Sequence, residues 1–259
     1  MSAQGVGVGW VRLAAIKGLP EIRPGDDLVA MLTAAIRAGN HPVAAGDVVV
    51  VTQKIVSKSE GALVALDSVT PSARAGEWAR AWNKDPRVIE LVLRESVRLV
   101  RMERGVIISE TRHGLICANA GVDTSNVGPG WAALLPSDPD GSARRLCEGL
   151  REAFGVPIGV VISDTFGRPW REGQINVAIG VAGLIPITDY RGGRDAYGQR
   201  LVSSAIAVAD ELAAAAELVM GKTDGVPAAI VGGIDLGAAG IGQGSARALL
   251  RRPDEDMFR

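Results

Sequence analysis

The stretch GDVVVVTQKIVSK, residues 46–58, limits the fold more than any other part of this chain. Successive side chains of a strand point to opposite faces, so four consecutive valines present apolar, β-branched groups on both sides of the extended backbone. Such a strand is stable only with cover on both faces, which places it inside a layered arrangement of sheet and helix. The run TQKIVSK reads as its polar end.

The rest of the chain must supply that cover. Of 259 residues, 47% are hydrophobic and only 4% aromatic, so the core is built from Ala, Val, Leu and Ile, with 33 glycines marking tight turns. The length permits one elaborate domain or two intimate ones. Lys plus Arg number 28 against 29 for Asp plus Glu, a balance that lacks the basic footprint of a nucleic-acid binder and makes any anion site local. Cys117 and Cys147 have no CxxC or Cys/His spacing, which suits ordinary core thiols in a reducing compartment better than a disulfide or structural zinc. The N-terminus has no basic segment before its apolar residues, and no apolar run reaches a membrane span of roughly 18 residues, so the chain reads as cytoplasmic, with no membrane partner.

Along the chain, VRLAAI reads as a first strand, and Asp26 or Asp27 as the cap of a helix over LVAMLTAAIRAG. Residues 71–104 look helical, broken into two helices at Asp85-Pro86. GVIISET and GLICANAGVD read as a strand pair joined through a His113-Gly114 turn. DPDGSARRLCEGLREAFG is a capped helix leading into the strand VPIGVVIS. NVAIGVAGLIPI is a further strand region, SSAIAVADELAAAAELVMG a helix ending at Gly221, and PAAIVGGI a last strand. No linker separates modules. The expectation is a single α+β unit of mixed sheets with packed helices, with room for two interlocked lobes.

Polar groups gather at three strand ends: Asp123 with Asn126 in AGVDTSN, Asp164 with Thr165 in SDT, and Asp224 in KTDG. A carboxylate beside a hydroxyl or amide suits Mg²⁺ or Mn²⁺, hard ions that take oxygen ligands and leave positions for phosphate and water; Asp at a turn is equally common for structural reasons. Lys54, Lys58, Arg168 and Arg171 lie near these acids and could steady a polyphosphate, although solvated surface positions explain Lys54 and Arg171 as well. Gly167-Arg168 reads as a turn that brings a cation towards phosphates, with Pro169 and Trp170 packing it. There is no GxxxxGK[ST] loop, GxSxG elbow or HExxH pair, and GVGVG near the N-terminus is not followed by a helix start.

Taken in order, KGLPEIRPGDDL, TQKIVSKSEG, NAGVDTSNV, SDTFGRPWREG, DAYGQRL, VADELAAAAELVMGKTDGVPA and RRPDEDMF resemble the coenzyme F420-0:L-glutamate ligases, also called F420:γ-glutamyl ligases, over nearly the whole chain. The resemblance implies a GTP- and metal-dependent ligase that adds L-glutamate to the lactyl carboxylate of F420-0 through an acyl phosphate, and then adds further γ-linked glutamates. It implies nucleotide contacts at Leu19, Pro20, Glu21, Ile22, Gln53, Lys54, Lys58, Asn126, Met220, Gly221 and Asp224. Metal contacts fall on Asp123, Asp164 and Thr165, with Met220 able to offer only its carbonyl. Asp164, Arg168 and Lys58 are the expected catalytic groups, Mg²⁺ or Mn²⁺ the ion, with room for a monovalent cation, and a homodimer the assembly. The flavin-binding, nitroreductase-like second domain of some relatives is not expected. Gln53, Lys222 and Gly232 depart from residues frequent in the family, so two alternatives stay open: the same ligation on another anionic carboxylate, or a non-catalytic nucleotide-binding protein.

Overall fold

The computed structural model describes residues 10–234 and 244–257; the GVGVG segment lies outside them. In chain order come β1 (Arg12–Ala15), α1 (Leu28–Ala38), β2 (Val48–Thr52) and α2 (Gln53–Ser59), then β3 (Leu63–Ala65), α3 (Ala73–Trp82), α4 (Pro86–Glu95), β4 (Ser96–Glu103), β5 (Val106–Thr111), β6 (Ile116–Ala118) and β7 (Trp131–Ala133). After these come α5 (Pro139–Phe154), β8 (Gly159–Arg168), β9 (Arg171–Ala182), β10 (Thr188–Asp189), β11 (Ala205–Ile206), α6 (Val208–Met220) and β12 (Ala228–Gly232). Helix starts follow local chemistry. Asp27, Asp85 and Asp138 each accept a hydrogen bond from a backbone N–H of the first turn of α1, α4 and α5, which satisfies a donor the helix cannot.

The central sheet has the order β1-β12-β2-β8-β9, with β2 and β8 parallel and the other neighbours antiparallel. The four valines of β2 are divided between its faces. Val49 and Val51 pack with α1 and α5 residues such as Leu32, Ile36 and Leu150, whereas Val48 and Val50 pack with Leu212, Ala213 and Ala216 of α6. All four are at most 1% exposed, and each contributes about 1.5 kcal/mol or more through burial. The cover is therefore helical on both sides. Contact is close: a Cβ on Gly180 of β9 would lie 2.4 Å from the Pro139 carbonyl oxygen, so only glycine lets α5 begin against this strand.

A separate core fills the segment between α2 and α5. Leu66, Ala75, Ala79, Ile89, Leu91, Val92, Ile107 and Val122 pack between α3, α4 and the β4-β5-β6 sheet. Its two chain connections lie side by side, since β3 pairs with β7 and Leu134 N–H donates to the Ala62 carbonyl. The α+β expectation, with its two lobes, corresponds to these two cores.

Three local expectations change. TQKIVSK does not continue the strand: β2 stops at Thr52 and α2 begins at Gln53, where the Ser57 hydroxyl donates to the Gln53 side-chain oxygen one turn away. Residues 96–103 are not helical but form β4, because their branched residues gain a ladder against β5, with irregular register at two points. Gly167-Arg168 is not a turn. β8 runs through both residues and reverses over Pro169-Trp170, where Trp170 takes φ +57° and is 83% exposed. Cys117 and Cys147 are buried free thiols, as expected, and burial first, then the Asp164 charge, push Cys117 up to about 12. Among the described residues, no helix is long and apolar enough to cross a membrane.

Candidate functional site

The parallel pair β2 and β8 ends in register, Thr52 opposite Ser163. Beyond that last pair β2 gives way to Gln53 and Lys54 of α2, while β8 continues, paired with β9 alone, through Asp164 and Thr165, so these four residues share one edge of the sheet. They open into a cleft of about 1060 Å³, larger than many single-ligand sites and roomy enough for two co-substrates. Around it stand the Leu19-to-Ile22 loop, α2, the loop after the tight turn at 119–121 that carries Asp123 to Asn126, the β8-β9 hairpin, and the loop after α6.

Lys54 reaches from α2 to that Asp123 loop. Its ammonium lies 2.7 Å from Asp123 Oδ2 and donates to both the carbonyl and the hydroxyl of Ser125 at 2.8 Å, while Ser125 N–H donates to Asp123 Oδ1 at 2.7 Å. Burial works against the Asp123 charge, but hydrogen bonds from Lys54 and Ser125 outweigh it and hold the carboxyl below its ordinary value. Lys58, 7% exposed, is paired with Glu21 of the first loop at 2.5 Å.

Asp164 is the opposite case. It accepts the N–H of Thr165 at 2.8 Å and has no ion-pair partner among the described residues. Burial raises it to about 6; the Thr165 N–H opposes this, the Asp123 charge adds to it, and Lys222 and Lys54 oppose it weakly. Two carboxylates and the Thr165 hydroxyl thus form an all-oxygen donor set in which one member lacks a counter-charge. No cluster of three or more His, Cys, Asp or Glu side chains fit to hold an ion occurs among the described residues. Two protein carboxylates are nevertheless what Mg²⁺ or Mn²⁺ accepts when waters and phosphate oxygens complete its shell, and a divalent cation would relieve the strained charge of Asp164. The residues fit such an ion.

A second line of contacts crosses the hairpin. Lys222 donates to the Thr165 hydroxyl at 3.1 Å, that hydroxyl donates to Asn176 Oδ1 at 2.8 Å, and Asn176 Nδ2 donates to Glu217 Oε2 at 2.8 Å. Thr165 and Asn176 are direct cross-strand partners, and Asn176 is 3% exposed. The buried hydroxyl of Ser163 also lines the cleft and finds no hydrogen-bond partner among the described residues.

Of the residues singled out in the sequence, the cleft brings together Leu19, Pro20, Glu21, Ile22, Gln53, Lys54, Lys58, Asp123, Asn126, Asp164, Thr165 and Gly221. Gly221, at φ +62°, ends α6, and a Cβ there would lie 2.8 Å from Asp224 Oδ2. Four others stand apart, among them Arg171, an exposed residue of the β8-β9 hairpin outside the lining. Met220 is fully buried against the sheet, and Asp224 sits in the same loop but is not part of the lining. The Arg168 guanidinium folds back onto the Glu172 and Gly173 carbonyls of its own hairpin, away from the lining. Sequence reading passed over Ser125, Ser163, Gln174, Asn176 and Glu217, and reached Lys222, also noted as a departure, and Thr223 only as part of the segment 218–224 expected to meet the nucleotide. One signal was available: Glu217 puts an acid in the last turn of α6, where no basic residue accompanies it and the helix dipole disfavours negative charge.

The sequence matches the F420-0:gamma-glutamyl ligase family over residues 17–233. It is 46% identical over 250 residues to the coenzyme F420:L-glutamate ligase of Methanothermobacter thermautotrophicus, covering 96% of this chain and 99% of that protein. The ligase of the same description from Methanopyrus kandleri is 46% identical over 255 residues, covering 98% and 99%. That from Methanocaldococcus jannaschii is 40% identical over 220 residues, covering 85% and 87%.

Proposed function

This chain belongs to the F420-0:gamma-glutamyl ligase family, and from that premise we propose that it joins L-glutamate to F420-0 at the expense of GTP, with an acyl phosphate as intermediate and further γ-linked glutamates added in turn. The observation that carries the reading is the shared edge of β2 and β8, where Lys54, Asp123, Asp164 and Thr165 converge. A carboxylate resists an amine until its oxygen becomes a good leaving group, and phosphorylation makes it one.

Asp123, Asp164 and Thr165 would hold Mg²⁺ or Mn²⁺, which when bound would neutralise charge on the phosphate oxygens during phosphoryl transfer. Lys54, tied to Asp123 and Ser125, keeps a positive charge beside that position and fixes the loop that carries Asn126. Lys58 and Glu21 close the side formed by the Leu19-to-Ile22 loop, which suits the nucleotide. The buried walls supplied by β2 and β8 limit water, so the activated carboxyl meets the amine before hydrolysis. A homodimer accords with the exposed apolar side chains of Val202 and Leu218, 77% and 80% accessible, which light scattering would test.

The deciding experiment incubates the purified chain with F420-0, GTP, Mn²⁺ and L-glutamate and reads the products by mass spectrometry. Glutamylated F420-0 with matching GDP and phosphate is the expected result. GTP binding with no turnover, or ligation to another acid only, would overturn the proposal.

A further inference from the structure

Four carboxylates line the cleft, and their partners sort them. Glu21 holds Lys58 and Asp123 holds Lys54, while Asp164 lies with the oxygen donors expected to take a metal. Glu217, like Asp164, has only a neutral donor, but it stands apart from the expected metal donors: its Oε2 accepts from the Asn176 amide at 2.8 Å, and no described cation pairs with it. The Asn176 side chain is buried between two strands and a helix, and its other end accepts from Thr165. Burying an amide and placing an acid in the last turn of a helix both run against local stability, and together they aim one carboxylate into the cleft, a single carboxamide away from Thr165.

An uncompensated carboxylate at that distance from the phosphate side of the cleft fits a cationic substrate group. Resting on the ligase reading above, we propose that Glu217 binds the ammonium of the incoming amino acid and takes its first proton, with Asn176 as the residue that positions it. The freed nitrogen lone pair attacks the carbonyl carbon of the acyl phosphate, forming the C–N bond. The C–O bond to phosphate breaks, phosphate leaves with that electron pair, and the second N–H proton departs with it.

The test replaces the amine by hydroxylamine, which is largely uncharged at neutral pH and captures acyl phosphates as hydroxamates without needing an anionic docking group. Glu217→Gln keeps the Asn176 hydrogen bond and so preserves the fold. In this variant the KM for L-glutamate rises about tenfold or more, while hydroxamate formation from F420-0 and GTP stays within about threefold of the parent chain. Glu217→Asp recovers part of the glutamate KM. Equal loss of glutamate ligation and hydroxamate formation, an unchanged glutamate KM, or a tenfold weaker Mn²⁺ affinity by paramagnetic resonance titration would each overturn the assignment. Absence of hydroxamate from the parent chain overturns the acyl-phosphate reading, and this proposal with it.

Discussion

Two aspartates, Asp140 inside the fold and Asp164 half-buried at the cleft, show how differently this protein treats a carboxylate. Asp140, in the first turn of α5, accepts from Val181 N–H at 2.9 Å, from Ala246 N–H at 2.8 Å and from the Ser245 hydroxyl at 2.5 Å, and thereby pins β9 and the C-terminal segment to the helix. Asp164, at the cleft, accepts one hydrogen bond and has no cation, and burial raises it to about 6. The first carboxylate is finished by the fold. The second is left incomplete, and a half-buried group whose needs the fold does not meet is one prepared for something that arrives.

The comparison breaks most visibly under substitution. Asp164→Asn should lower ligation by about a thousandfold, ~4 kcal/mol, with folding intact, measured as product formation at saturating Mn²⁺. Full activity would remove Asp164 from the site. Asp140→Ala should leave activity in the folded fraction but lower unfolding free energy by about 3 kcal/mol, seen as a reduced urea midpoint at unchanged m value, since two backbone donors and a hydroxyl lose their acceptor.

Stability against pH sharpens the contrast further. Because the folded-state value of Asp164 lies above its unfolded one, the metal-free native state holds the extra proton between about pH 4 and 6, and stability falls as pH rises through that window. Asp164→Asn should therefore stabilise the metal-free chain at pH 7, by about 3 kcal/mol at most, and flatten the fall between pH 4 and 6 in a denaturation series. Mn²⁺ affinity should weaken as pH drops through about 6, where the proton competes. The smallest effect is expected at Arg168. Its guanidinium serves only carbonyls of its own hairpin, so Arg168→Ala should change kcat/KM by less than about threefold and stability by about 0.5 kcal/mol. A hundredfold loss would restore the catalytic role the sequence suggested.

What the sequence made legible depended on the range of the signal. The tetravaline run, the Asp caps and the glycine after α6 are local patterns, and the structure carries each out where it was read. Asp123, Asp164 and Thr165 were visible because polar residues at the ends of apolar runs stand out. Asn176 and Glu217 were not, because an amide within NVAIGVA and an acid within a helix acquire meaning only when β9 and α6 are packed together, and strand order is not written in periodicity. α2 was hidden for a related reason: QKIVSK is branched enough for a strand, and the turn into helix is imposed by the edge of the cleft.

The pairing of Lys54 with Asp123 has a mechanical meaning as well. Lys54 stands on α2, whose Ile55 and Val56 belong to the core of the central sheet, whereas Asp123 follows Val122 of the other core. The cleft is thus a seam where the smaller core meets the central sheet, fastened at its mouth by Lys54 through Asp123 and Ser125. A ligand that spans the seam is therefore expected to sharpen thermal unfolding into a single transition, which calorimetry with and without nucleotide would show.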